Sequence, residues 1–414
     1  MAFSRPKRAI GLDIGTYSIK AVQMSRSGGQ YCIEQVGYER IDREQVNSDP
    51  AMAHAAAIRE AVRTMAVSQS LLVAAMPGQT AVIRYPRLAD MPKAQLAEAV
   101  EREASQNIPY DLNDVYLDWT LLSETEDSGS KQLKIMLVAA KREMIDSRLQ
   151  VIDAAELKCG VLGVDSLALA DAAEACGFLR PGETVALVHI GLSSSSIHFV
   201  KDGISNFIRD VNWGGRELIQ AIAKDRRCDF AEAERQLATM RFDGQPEEPP
   251  QTEAEPPPPP PPPQSSLSSL SDDPFGSGGS LLDPLDDEPG GSYSAVTSPA
   301  QPAARAQAKA SDPREIMAAP LQRMVAEIRR SFDFYEHQLY ERPVDRLILS
   351  GGVVRLPIVG ETLVDELGVE TVEVADPAES ALRLGSRSAV APLLEHPAQF
   401  MVAVGLAARG MADL

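Results

Sequence analysis

Two stretches of this chain are near copies of each other, and they restrict its fold more than any other feature. One is "AIGLDIGTYSIKAVQMSRSG", Ala9 to Gly28, and the other is "VALVHIGLSSSSIHFVKDG", Val185 to Gly203. Each reads as an apolar strand, a glycine turn followed by hydroxyl residues, and a second strand. Residues 8–41 extend the first copy to three strands, with Gly28-Gly29 at the second turn. An alanine-rich helix (Pro50 to Met65) and the apolar strand "SLLVAAM" follow. Residues 184–224 repeat the plan with "TVALVHIG", "SSIHFVKDG" and "SNFIRDVN", then a helix opening at Gly214-Gly215. A unit used twice predicts an internally duplicated α/β fold.

The chemistry of such a turn is anion binding. Glycine lets the backbone approach a phosphate, and successive N–H groups point at it. In the first turn Gly15 supplies that freedom, Thr16, Tyr17 and Ser18 follow with hydroxyls, and Lys20 can neutralise charge. Asp13, just before the turn, is placed to hold Mg²⁺ or its waters, because that ion prefers oxygen ligands. The second copy offers Gly191 with Ser193, Ser194 and Ser195. A third piece, "RLILSGGVVRLP" (Arg346 to Pro357), ends a strand in Ser350-Gly351-Gly352 and Val353 before a helix. It reads either as a nucleotide-edge turn at a helix N-terminus or as a tight strand-to-helix corner.

At 414 residues the chain calls for two or more domains. No run reaches the roughly 18 apolar residues of a membrane span, and no apolar signal core follows the basic Ser4 to Arg8. Cys32, Cys159, Cys176 and Cys228 are scattered and read as free thiols of a reducing compartment. The net charge of −19 argues against nucleic-acid binding. Much of that charge is local, since Gly244 to Pro313 carries 11 acids against 2 bases.

That same stretch is the clearest boundary. It holds eight consecutive prolines, Pro256 to Pro263, then text rich in Ser, Gly and Asp. Such a composition cannot build a packed core. Two readings stand: a tolerated surface insertion, or a docking tether with "SLLDPLDD" as its motif. The insertion interrupts helices. Before it, Phe230, Ala233, Leu237 and Met240 share one face; after it, Met317, Leu321, Met324, Ile328, Phe332, Tyr335 and Leu339 step by three or four.

Taken together, the glycine turns resemble the actin/hexokinase/heat-shock chaperone ATPase superfamily. More narrowly, the chain resembles the PilM family of type IV pilus assembly, relatives of FtsA. The text that carries this includes "IGLDIGTYSIKAV", "RLADMPKAQLAEAVEREASQNIPYDLNDVYLDW", "KIMLVAAKREMIDSRLQVIDAAELKCGVLGVDSLALADAAE", "VKDGISNFIRDVNWGGRELIQAIA", "LILSGGVVRLPIVGETLVDELGVETVEVADP" and "FMVAVGLAARG". The segment Arg87 to Trp119, with its "IPYDL" exit, is the part specific to this branch.

The resemblance implies an actin-like pair of ribonuclease-H-type domains with an extra small α+β subdomain. Its parts would be 8–80 with 378–410 (1A), 81–160 (the extra 1C), 161–225 with 343–377 (2A) and 226–243 with 314–342 (2B), interrupted by the disordered insertion 244–313. It implies ATP or ADP with Mg²⁺, bound by the residues named above together with Gly214, Gly215 and Glu217 near the ribose. It assigns no catalytic residue. It further implies a PilN-type inner-membrane partner, whose N-terminal peptide would enter a groove around Arg84, Pro86, Leu88, Leu96 and Val100. The pilus motor or other cytoplasmic pilus components are further partners it allows. The protein would then be cytoplasmic, at the inner-membrane face through its partner alone.

Two positions depart from the family pattern. His189 stands where an acid is usual, and imidazole is a poor ligand for Mg²⁺. It reads as a packed histidine, a phosphate contact or a general base. Gln236 stands where relatives often carry lysine. The leading expectation is a nucleotide-clamped scaffold that recruits a membrane protein's tail. The alternatives are a slow ATPase whose cycle gates partner binding, and an FtsA-like filament on the membrane. The five residues Gly410 to Leu414 are too short for that branch's terminal amphipathic anchor. A secretion-type GspL relative would need a membrane span.

Replacing 244–313 by a short Gly/Ser linker is expected to shift Tm by less than about 2 °C, because loop length costs little. A thermal melt showing loss of cooperative unfolding would place part of the core in the insertion.

Overall fold

The computed structural model describes residues 6–127, 130–240 and 312–412. The insertion read at 244–313 lies outside these, apart from Asp312 and Pro313, which cap and begin a helix.

Two sheets follow one plan. In the first lobe β1 (Arg8–Ile14), β2 (Ser18–Ser27) and β3 (Gln30–Arg40) form an antiparallel meander. The two-residue turn between β2 and β3 works because Gly28 and Gly29 adopt φ of +58° and +84°. Helices α1 (Arg43–Ser48) and α2 (Pro50–Ala61) lead to β4 (Leu71–Met76), which pairs in parallel with β1. Next comes a smaller sheet of β5 (Ala81–Arg84), β6 (Arg87–Ala89), β7 (Val115–Asp127) and β8 (Ser130–Lys141). Helix α3 (Lys93–Asn107) lies between β6 and β7, and α4 (Arg142–Ala154) follows β8. Strand β9 (Val161–Val164) returns to the first sheet beside β4, and α5 (Asp165–Ala175) leads out of it.

The second lobe begins again with β10 (Thr184–Ile190), β11 (Ser195–Lys201) and β12 (Ile204–Val211). After α6 (Gly215–Arg226), α7 (Phe230–Thr239) and α8 (Pro313–Asp333), β13 (Arg346–Gly351) pairs in parallel with β10. Helix α9 (Pro357–Leu367) and β14 (Thr371–Val374) complete that sheet. The chain closes with β15 (Arg383–Leu384) against β3, α10 (Ala391–Glu395) and α11 (Met401–Arg409). The strand orders are β15-β3-β2-β1-β4-β9 and β12-β11-β10-β13-β14. The same meander-then-parallel order occurs in both, so the duplication legible in the text is a duplication of topology.

The central strands β1, β4, β10 and β13 are buried on both faces, as their unbroken apolar runs require. Ile10, Leu12 and Ile14 pack under α2, while Ala9, Val22 and Met24 face α5 and α11. Val185, Leu187 and Val200 of the second sheet join that same core. Its other face, Ala186, Val188 and Ile190, meets α6, α8 and α9. The helical stripe read after the insertion holds from Met317 to Tyr335, all buried, whereas Leu339 lies past the helix and is exposed. One expectation changes: α9 starts at Pro357, so the Ser350-Gly351-Gly352 turn does not sit at a helix N-terminus.

Closeness of α11 depends on glycine. A Cβ on Gly405 would lie 1.8 Å from the Ala168 carbonyl oxygen, and one on Gly11 would lie 1.9 Å from that of Ala403. Gly405→Ala is therefore expected to cost about 3 kcal/mol or more in urea denaturation. Gly360→Ala, in α9 with open space around it, is expected to gain about 0.5 to 1 kcal/mol. Equal effects at the two positions would contradict this packing.

Candidate functional site

The two glycine turns face each other. Thr16 and Ser193, each at a turn tip, are hydrogen-bonded through their hydroxyls at 3.1 Å. The turns share one geometry: a Cβ on Gly15 would lie 2.9 Å from the carbonyl oxygen of Ser18, and one on Gly191 would lie 3.0 Å from that of Ser194. Asp13 and His189 occupy equivalent places, each the penultimate residue of its strand, paired with Lys20 and Ser196 respectively.

The other glycine motifs converge on the second turn. The N–H groups of Gly215 and Arg216 donate to the carbonyls of Gly191 and Leu192 at 2.9 and 2.8 Å. The first turn of α6 thus braces the loop and is not itself open to an anion. Gly214 is required because a Cβ would lie 2.5 Å from the Leu192 oxygen. Gly351, at φ +106°, lets Gly352 donate to Ile190 at 3.2 Å, and Val353 packs where a Gly215 side chain would stand. Not every candidate points its polar group at the cleft. Ser195 donates to the Trp213 carbonyl inside the fold, Ser18 is buried, and Glu217 pairs with Arg323 at 2.7 Å. Gln236 bonds to Glu232 on its own helix.

Charge in the cleft is balanced. Asp13 and Lys20 form a largely buried ion pair at 3.1 Å. Arg148 of α4 donates to the Ile14 carbonyl at 3.4 Å, and burial lowers its pKa against the pull of Asp13 and Asp165. Asp165, the first residue of α5, accepts from the backbone of Gly78 and Ser166. Burial and the nearby Asp210 push its pKa up to about 7. Asp210 accepts from Ser196 and Ser166 and lies where a side chain on Gly78 would clash. His189 bonds Ser350 at 2.9 Å, and burial pulls its pKa down to about 4. It is therefore neutral near pH 7 and a weak base. Among the described residues no three ligating side chains cluster as a metal site. A Mg²⁺ ion would fit only as a shared guest, held by Asp13 or its waters and by ligand phosphate.

A second feature is a cavity of about 840 Å³. Its walls are β7 from Tyr116 to Leu122, the outward face of β8 (Met136, Val138, Ala140), all of β9, and one side each of α4 and α5. Gly203, Ile204 and Ser205 close it from the second lobe. Both β7 and β9 are edge strands with a partner on one side only, so their unpaired backbone borders the space. Asp118, Asp146, Asp171 and Glu174 line it against Arg409. The groove residues expected from sequence lie elsewhere. Leu96 and Val100 are 5% and 1% exposed, packed on Leu133, Ile135 and Leu137 beneath α3. Leu88 joins that core, the Pro86 carbonyl pairs with Ile135, and Arg84 is exposed. Alternation along β8 explains the difference: one face serves α3 and the other serves the cavity.

Sequence reading missed Arg148, Asp165 and Asp210. The usable signal was "VDSLALADAAE", an acid opening a helix directly after a strand.

The neutral His189 has a consequence for stability. Below its ordinary value of about 6.5 the unfolded chain takes up a proton that the folded chain refuses, so stability falls as pH drops toward 4. Asp165 acts oppositely, since the folded chain holds a proton between pH 7 and 4 that the unfolded chain releases. His189→Asn, which keeps a bond to Ser350 available, is expected to flatten the decline between pH 6.5 and 5 by about 2 kcal/mol. Urea denaturation across that range checks this; an unchanged slope would mean His189 ionises in the folded state.

The solved PilM-PilN type IV pilus biogenesis complex is similar at a TM-score of 0.72 and 22% identity, covering 99% of this chain and 100% of that one. Weaker likenesses are the ethanolamine utilization protein EutJ from Carboxydothermus hydrogenoformans (TM-score 0.45, 14% identity, 98% and 90% covered) and MreB 5 of Spiroplasma citri (0.43, 10%, 97% and 95%). The family model described as type IV pilus assembly protein PilM matches residues 11–248 and 293–411. With its duplicated sheet topology, the chain belongs to the PilM family of type IV pilus assembly proteins.

Proposed function

We propose that the protein is a cytoplasmic nucleotide-binding scaffold of type IV pilus assembly. In this reading it recruits the N-terminal peptide of a PilN-type inner-membrane protein, and it reaches the membrane only through that partner. The observation that carries the reading is the cavity between β7 and β9. Two unpaired strand edges suit an extended peptide, which pairs by its backbone and seats alternate side chains. The walls are apolar, with four carboxylates and one arginine, and this favours an apolar segment with a basic tip. Tyr116 and Leu121, 50% and 36% exposed and lining the cavity, give a docked apolar segment surface to cover.

The facing glycine turns support nucleotide binding, with ATP or ADP as ligand and Mg²⁺ carried by Asp13 and the phosphates. When bound, the cation would offset phosphate charge. Lys20 neutralises, the backbone of Gly15 and Gly191 approaches, and His189 supplies a neutral contact in place of a second acid. A slow ATPase is the second reading. Asp165 favours it, because a carboxyl with pKa about 7 close to Asp13 has the strength of a base working near neutrality.

Two measurements test this. A PilN-type N-terminal peptide titrated calorimetrically is expected to bind with Kd below about 100 μM, near −5.5 kcal/mol, and Leu121→Asp to weaken it at least tenfold without lowering Tm. Val100→Ala is expected instead to lower Tm, costing about 1 kcal/mol or more. No binding at that concentration would end the recruitment reading. Separately, protein incubated with Mg²⁺ and ATP and stripped of free nucleotide is expected to retain intact ATP. Retained ADP with released phosphate would establish the ATPase, and Asp165→Asn would then abolish turnover.

A further inference from the structure

The mouth of the cleft carries a clasp that the nucleotide turns alone do not require. Glu234, on α7 of the second lobe, accepts hydrogen bonds from three donors of the first lobe: the Tyr17 hydroxyl, Arg40 and Arg43. The Arg40 guanidinium lies 4.7 Å over the Tyr17 ring, and that of Arg43 lies 4.7 Å over the Phe230 ring of α7. The Glu234 side chain is only 16% exposed, unlike an ordinary surface partner. Charge-assisted bonds in partial burial are stronger than exposed pairs, which contribute little.

The clasp is mechanically joined to the first glycine turn. Tyr17 is the neighbour of Thr16, whose hydroxyl meets Ser193, and its own carbonyl accepts from Ile41 at 3.0 Å. Drawing Arg40 and Arg43 away from α7 would therefore pull on the turn itself. The charge count names the ligand class. Arg40 and Arg43 oppose a single carboxylate, and Arg216 stands close by, 3.5 Å from the Ser193 hydroxyl and 5.9 Å from the Phe230 ring. A polyphosphate passing this mouth can replace Glu234 on the guanidiniums, which bind phosphate and carboxylate in the same geometry.

Resting on the nucleotide reading above, we propose that Glu234 is a positioning residue that keeps the cleft shut and sets the exchange rate of a nucleoside di- or triphosphate. Opening requires three bonds to one carboxylate to break together. Release is then slow even where equilibrium affinity is moderate, because contacts at the mouth act on dissociation more than on association.

The test uses the full chain and two readouts. In the first, release of a fluorescent ADP analogue is followed by chase with unlabelled ADP. Glu234→Gln is expected to release it about tenfold faster or more, with association changed less. Tyr17→Phe, which removes one donor and no charge, is expected to fall between, and Glu234→Asp to restore part of the slow release. Arg235→Ala, an exposed neighbour that pairs with Glu232 of its own helix, is expected to match the parent. In the second readout, hydrogen exchange without nucleotide is expected to rise at residues 40–48 and 230–239 in Glu234→Gln. Parent-like release and parent-like exchange in both Glu234→Gln and Tyr17→Phe would overturn the proposal. If the parent binds no nucleotide, the nucleotide reading and the gate fall together. The exchange readout then separately decides whether the clasp holds the lobes.

Discussion

The molecule depends on how closely the C-terminal helix α11 approaches its neighbours. It packs against β1 at Gly11 and against α5 at Gly405, where backbone atoms occupy the space a side chain would need. That approach lets one apolar core take residues from both sheets, including Ala9, Met24, Val185 and Ile348. Two lobes built on one core cannot drift independently at their base. On the opposite side the glycine turns face each other and Glu234 ties α7 to the first lobe.

The two copies of the hairpin have diverged in chemistry while keeping their geometry. Asp13 and His189 hold equivalent positions, yet one is in an ion pair with Lys20 and the other is a neutral imidazole on Ser350. The duplicated fold therefore has one charged and one neutral arm facing each other across the two turns. A further acid, Asp165, comes from the helix between the copies. Its company, Gly78, Ser166, Ser196 and Asp210, spans both lobes. The same helix α5 has one side on the 840 Å³ cavity, so the two candidate sites share a structural element.

Particular residues show how much was legible. The repeat of strand, glycine and hydroxyls marked both turns, because a hairpin that brings backbone to an anion admits few residue types. The stripe from Met317 to Phe332 marked α8 because helical periodicity survives in any context. Leu96 and Val100 show the limit. Their spacing announces an apolar helix face, but nothing local states whether that face meets a sheet or a peptide, and the sheet holds it. Glu234 shows the same limit for charge. On α7 it reads as a solvated helix residue, and its three donors lie about 190 to 217 positions away in the chain.

By itself the sequence determined the duplicated α/β plan, the two glycine turns with Asp13 and His189 at matched places, and the helices flanking the long acidic, proline-rich stretch. These follow from backbone sterics and periodic burial, which act over a few residues. Tertiary structure alone decided that His189 is neutral, that Asp165 and Arg148 join the cleft, that the cavity lies along β7 and β9, and that Glu234 closes the mouth. Those properties arise from desolvation and from charges and strand edges brought together across long separations. No local pattern encodes them, because each depends on what the rest of the chain removes from water.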